Sequence, residues 1–188
     1  MSYSFRKFRP GVDVLKSFDC GHSDLNGFLL ETSCDIPNAT TYAQQLLATT
    51  YVVEDDESHD VLAYFSILHD KLEREFVNAT NWNRVSRKIP NSKRRSSYPA
   101  LKIGRLAVSK QFADRGIGRH IIRFVEAMYL MNKLAGCRFI TVDAIPSAVD
   151  FYKKCNFFVL KEPELALTGV EMDEMEQTTL MGFDLRSF

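Results

Sequence analysis

The chain has 188 residues, 45% of them apolar, enough to build one compact domain and too few for a second of ordinary size. Its 24 Lys and Arg balance 24 Asp and Glu, which argues against an all-over polyanion-binding surface and leaves room for a local basic patch. Cys20, Cys34, Cys137 and Cys155 contain no C-x-x-C pair, so the spacing suits neither a zinc cage nor a dense disulfide framework and no metal is expected. Four reduced thiols in a cytoplasmic protein is the plain reading. Met1–Arg9 is basic with no apolar core of a signal sequence behind it, and no stretch approaches the ~18 apolar residues of a membrane span. Asn38-Ala39-Thr40 and Asn78-Ala79-Thr80 match the glycosylation sequon, and without a secretory signal they read as chance matches.

In chain order, residues 3 to 9 suggest a short strand stopped by Pro10-Gly11. Phe18-Asp19-Cys20-Gly21-His22-Ser23 reads as a turn into a helix, with Ser23 or Asp24 as N-cap and Leu25, Phe28 and Leu29 inward. Two apolar, β-branched stretches at 46 to 54 and 60 to 68 flank a polar hairpin loop at 55 to 59. From 70 to 98 the chain turns polar, carries the sole tryptophan, Trp82, and concentrates Arg84, Arg87, Lys88, Lys93, Arg94 and Arg95. It reads as an irregular insertion, part helical, broken by Pro90 and Pro99. Residues 100 to 108 predict a strand whose apolar alternation slips by one across Gly104-Arg105, the pattern of a β-bulge. An amphipathic helix follows at 116 to 134, with Ile117, Ile121, Phe124, Val125, Met128 and Met131 in its stripe. A strand at 138 to 144, a helix at 146 to 154 opened by Pro146, and strands at 157 to 160 and 178 to 185 complete an α+β order. The expected architecture is a mixed central sheet with a bulged strand, flanked by helices, in a single domain over 1–188.

Arg115-Gly116-Ile117-Gly118-Arg119 stands where a loop enters a helix. The first amides of a helix lack internal acceptors, and its dipole adds positive potential there. Glycines at 116 and 118 would let a phosphate approach those amides, and Arg115 and Arg119 carry charge to the same place. A Walker A loop needs Gly-Lys-Ser/Thr, but Arg119-His120 follows Gly118; a dinucleotide fingerprint needs a third glycine where Ile121 stands. Both nucleotide readings fail.

Taken together, Arg105-Leu106-Ala107-Val108, the 115–119 loop, Val142-Asp143-Ala144 and Ala148-x-x-Phe151-Tyr152-x-x-x-Asn156-Phe157 closely resemble the GNAT superfamily of N-acetyltransferases. The resemblance implies acetyl-CoA as donor, with backbone groups of Leu106, Ala107 and Val108 pairing with the pantetheine arm. It also implies that amides of Asp114, Arg115, Gly116, Ile117, Gly118 and Arg119 hold the pyrophosphate, and that Tyr152 protonates the departing thiolate. A phenol pKa of ~10 suits that exchange with a thiol. This chain departs from the family pattern at Ala113, where a polar residue opens the usual loop, at Asp114, whose charge faces a pyrophosphate, and at Asn156 in place of glycine. It also has Ile145 where some relatives carry Asn. No carboxylate or histidine lies between Ala100 and Val108; His22, His69, Asp70 and Glu73 are candidate bases by type alone.

Phe18-Asp19-Cys20-Gly21 with Leu25 and Phe28-Leu29, and Gly104-Arg105-Leu106-Ala107-Val108, resemble more narrowly the toxin-type acetyltransferases that modify aminoacyl-tRNA and pair with an antitoxin. On that reading the basic stretch at 84–95 would track tRNA phosphates, against the plainer reading of a solvated loop. Three functions stay open on the sequence: an N-acetyltransferase of unknown amine acceptor, a toxin-like enzyme acting on aminoacyl-tRNA, and a non-catalytic acyl-CoA-binding module. A homodimer is compatible with the resemblance.

Overall fold

Asn38 and Asn78 show how local sequence starts the helices. Each precedes Ala-Thr, holds an extended backbone, and accepts a hydrogen bond from the amide three residues on, Thr41 and Asn81 respectively. They are N-caps of helices α2 (Ala39–Gln44) and α3 (Ala79–Ser86), which explains why asparagine stands before Ala-Thr twice. The computed structural model describes residues 2–10, 13, 17–30, 38–87, 89–90, 95–132, 135–163 and 177–186. Cys34, Lys88, Lys93 and Arg94 lie outside them.

The strands are β1 (Tyr3–Lys7), β2 (Thr49–Asp55), β3 (Val61–Glu73), β4 (Ser97–Val108), β5 (Phe139–Ala144), β6 (Phe158–Lys161) and β7 (Thr179–Asp184), hydrogen-bonded in the order β1-β2-β3-β4-β5-β7-β6. Helices α1 (Ser23–Leu30), α4 (Ile117–Asn132) and α5 (Val149–Lys154) join α2 and α3. The sheet is mixed: β4 and β5 run parallel, while the β1–β2, β2–β3, β5–β7 and β6–β7 pairs are antiparallel. The α+β class expected from the sequence is the one observed. Contacts divide the chain into two compact units, residues 1–68 with 103–125 and residues 69–102 with 126–188.

The first unit buries both faces of its strands. Val52 and Tyr64 join Phe8, Phe18, Phe28, Leu29 and Ala107 in one cluster. Tyr51, one residue out of phase with Val52, stacks on Phe65 at 5.2 Å, and Phe5 stacks on Phe124 of α4 at 4.3 Å. At its edge the Arg6 guanidinium bridges Asp13 at 2.7 Å and Glu54 at 2.5 Å.

The second unit packs Trp82 and Val85 of α3 with Leu72, Tyr98, Ala100, Phe139 and Leu160. The Trp82 and Tyr98 rings stack at 5.2 Å. Gly182 is required here by space, because a Cβ would meet Leu160 Cδ1 at 2.6 Å.

Several expectations need correction. The stretch from 70 to 98 is not irregular throughout: β3 continues to Glu73, a 3₁₀ turn spans Arg74–Phe76, α3 follows, and β4 begins at Ser97. Leu72 is buried while Lys71 is exposed, so strand alternation persists through a polar sequence. Strand β2 starts at Thr49, since Leu46 at φ +57° and Leu47 fold back onto the end of α2, Leu47 N–H donating to Tyr42 O. Met131, assigned to the inward stripe of α4, is 82% exposed because the helix runs past the core that Ile117, Ile121 and Val125 enter. The helix expected from Pro146 is a 3₁₀ turn at Pro146–Ala148 followed by α5.

The expected slip in β4 does not show in its burial: Leu101, Ile103 and Ala107 are buried on one parity across Gly104-Arg105, while Leu106 and Val108 are half-buried.

Candidate functional site

In the first unit, β4 ends with Ala107 buried and Leu106 and Val108 half-buried. The Ser109 amide donates to Leu62 O at 2.9 Å, and a 3₁₀ turn over Lys110–Phe112 leads the chain away. Asp114 at φ +60° and Gly116 at φ +81° then turn it into α4. The first bond of that helix runs from the His120 amide to Gly116 O at 3.1 Å. The amides of Ile117, Gly118 and Arg119 thus precede helical pairing. Asp114, Arg115, Gly116 and Arg119 are exposed, Gly118 is half-buried and Ile117 is buried as the anchor. Nothing lies within 4 Å of a Cβ built on Gly116; its left-handed backbone, rather than space, calls for glycine. The arrangement is a row of main-chain donors at the positive end of a 16-residue helix, suited to an anion.

The turn at 18–21 docks onto this segment. The Lys110 amide donates to Asp19 O at 2.8 Å, and Lys110 Nζ reaches Asp19 Oδ2 at 3.1 Å. The other carboxylate oxygen accepts from the Gly21 amide and Asn26 Nδ2. These bonds, the Gly21 amide first, then Asn26 and Lys110, hold the Asp19 carboxyl below its ordinary range. Gly21 sits at φ +94°, where a Cβ would meet Lys110 Cε at 2.8 Å. Arg105 lies with its guanidinium 3.9 Å from the Phe28 ring centre and 5.6 Å from that of Tyr42. The two narrow sequence matches, at 18–29 and 104–108, are therefore two sides of one packed assembly. Sequence reasoning had no signal for that pairing, because the partners are about eighty residues apart.

In the second unit, Tyr152 of α5 is 5% exposed, its ring edge-on to Phe151 at 5.0 Å and Phe157 at 5.2 Å. Burial first, then neighbouring Cys155, pushes its phenol above the ordinary tyrosine value. The close match to a thiol expected from ~10 is thus lost, while the phenol keeps its proton throughout the neutral range. Helix α5 ends at Asn156 with φ +65°, so asparagine does take the left-handed position that glycine fills more often.

The same unit holds a cavity of about 500 Å³, lined by Asp70, Leu72, Lys102, Thr141, Asp143 and Leu180 among others. Thr141, 1% exposed, donates its hydroxyl to Asp70 Oδ2 at 2.6 Å. Lys102 pairs with Asp143 at 2.5 Å, and Lys71 with Glu73 at 2.8 Å. Of the candidate bases, His22 and His69 are exposed, Glu73 is held by Lys71, and Asp70 alone is half-buried without an ion pair among the described residues. Within the basic stretch, Arg84, Arg87 and Arg95 are exposed, and Arg84 lies 5.2 Å from the Phe158 ring centre. Among the described residues no helix is long and apolar enough to cross a membrane, and no group of three or more His, Cys, Asp or Glu is arranged to hold a metal ion.

Residues 88–179 match the family model of the acetyltransferase (GNAT) domain. No curated protein is detectably similar to the chain in sequence. Among solved structures, a tyrosine-to-phenylalanine mutant of KacT aligns with TM-score 0.70 over 100% of this chain and 97% of that one, at 21% identity. A structure described as a bacterial toxin gives TM-score 0.73 at 14% identity, over 98% and 91% of the two chains. AtaT complexed with acetyl-methionyl-tRNAfMet gives 0.65 at 20% identity, over 95% and 94%. The matched segment, just under half of the chain, spans both the 106–119 donor row and Tyr152, and the fold agrees with these solved structures along nearly the whole length.

Proposed function

We propose that the protein transfers acetyl from acetyl-CoA to the primary amine of an aminoacyl group carried on tRNA. The observation that carries the transferase part is the GNAT match over 88–179. The acceptor reading is supported by the 18–29 and 104–110 assembly and by the likeness of the fold to AtaT, which is solved with acetyl-methionyl-tRNAfMet. Main-chain groups of Leu106, Ala107 and Val108 bind the pantetheine arm, and amides between Asp114 and Arg119 bind the pyrophosphate. The amine nitrogen attacks the thioester carbonyl carbon, and a tetrahedral adduct forms. Its collapse breaks the C–S bond, Tyr152 Oη gives its proton to the thiolate, and the nitrogen loses its own proton to solvent. The phenol is protonated at neutral pH and so holds the proton this step consumes, while burial makes it a weaker acid than an ordinary tyrosine. Work in the cytoplasm beside charged tRNA, an antitoxin partner and a homodimer belong to the same proposal.

The test is transfer of labelled acetyl from acetyl-CoA into aminoacyl-tRNA, protein and small-molecule fractions of a lysate, with Tyr152→Phe as control. Label confined to aminoacyl-tRNA and lost in the mutant is the expected result. Label in another fraction keeps the enzyme and replaces the acceptor. Acetyl-CoA binding without label anywhere returns the chain to a non-catalytic acyl-CoA-binding module.

A further inference from the structure

Resting on the transferase reading, we infer that the cavity at Asp70 and Thr141 receives the acceptor, with Asp70 as the residue that positions its amine. The carboxylate is fixed from below: Thr141 is fully inside the sheet, and its hydroxyl takes only Oδ2. Oδ1 has no hydrogen bond to any described residue, so one lone-pair face remains for a ligand. The acids at Asp143 and Glu73 pair with Lys102 and Lys71, and Glu162 in the lining is exposed, which leaves Asp70 as the half-buried carboxylate of the cavity open to an N–H donor. Leu72 and Leu180 give the same cavity apolar walls, fit for the side chain of an aminoacyl group. A cationic or neutral amine beside an aliphatic or aromatic body is the ligand these parts match.

The test is direct binding of amino-acid amides, which carry an α-amine next to a carbonyl, to the full chain by calorimetry and by ligand-observed NMR. In parallel, acetyl-CoA affinity serves as the check on folding and on the donor site. Expected are loss of amide affinity of about tenfold or more in Asp70→Asn, partial recovery in Asp70→Glu, and clear weakening in Leu180→Trp, which narrows the cavity. Acetyl-CoA affinity should stay within about twofold throughout. Amide binding that is absent in the wild type, or unchanged in both Asp70→Asn and Leu180→Trp, overturns the inference and leaves the transferase reading intact. Failure to bind acetyl-CoA overturns that reading instead.

Discussion

The donor row at 106–119 and the cavity at Asp70 use opposite parts of the chain's chemistry. The first offers main-chain amides, shaped by two left-handed residues and a helix start, while its side chains at 114, 115 and 119 point into solvent. The second offers side chains, delivered by five strands, with a buried hydroxyl fixing one carboxylate. A main-chain site tolerates change in side chains and fails when φ changes. A side-chain site tolerates backbone drift poorly and fails when a single functional group goes.

The sharpest break of this contrast is Tyr152→Phe, which removes one oxygen in the second unit. Transfer should fall by about 10²–10⁴ in kcat with acetyl-CoA affinity unchanged, read by single-turnover kinetics and a binding titration. The main-chain claim is tested next. Gly116→Ala forces a Cβ into a left-handed backbone at a cost of about 1–2 kcal/mol, expected as roughly tenfold weaker acetyl-CoA binding, with no steric contribution because the space is open. Arg115→Ala, exposed and resting 5.3 Å from the Phe112 ring centre, should cost less than about 1 kcal/mol. The reverse ranking would mean that side-chain charge, not the amide row, holds the anion.

The smallest effect separates the units by their answer to acid. Burial works against the charges of Asp13 and Glu54 but is outweighed, for Asp13 by the Arg9 amide and Arg6, and for Glu54 by His59 and Arg6. Both carboxyls sit below their ordinary range. Their stabilisation is complete above the unfolded values near ~4 and is lost as pH falls through the lower folded values. The protection of amides in β1 and β2, after correction for the slower intrinsic exchange in acid, should therefore fall on acidification before that of β5 and β7, by an amount on the order of 1 kcal/mol; simultaneous loss would refute it.

The donor row was legible because its information is local: glycine spacing, a strand before it and a 3.6-residue apolar repeat after it. Ile117, Ile121 and Val125 are buried as that repeat demands. Met131 belongs to the same repeat but outlasts the core, and sequence periodicity carries no measure of where a core ends. The length of β3 was hidden by composition, since Asp70, Lys71 and Glu73 flank the one buried residue, Leu72. The cavity had no sequence signal at all. Asp70 was a candidate by type, but its hydroxyl partner is Thr141, seventy-one residues away, and only strand order brings them together. Arg105 was visible as part of a motif, whereas the Phe28 and Tyr42 rings beneath it were not.

The asparagine caps bear on how the protein is produced. A secretory host would read both Asn-Ala-Thr triplets as glycan acceptors, and the glycan bond forms at Nδ2. Asn78 is exposed and caps α3 through Oδ1, so it has room to carry the sugar and keep its helix. Asn38 is 1% exposed and uses Oδ1 for both the amide and the hydroxyl of Thr41, leaving no path for a glycan that does not expel the start of α2. Routing through a glycosylating pathway would thus load Asn38 before folding and yield a chain unable to close its first unit; a bacterial or cell-free system, or Thr40→Ala to erase that triplet while retaining the cap, avoids the outcome.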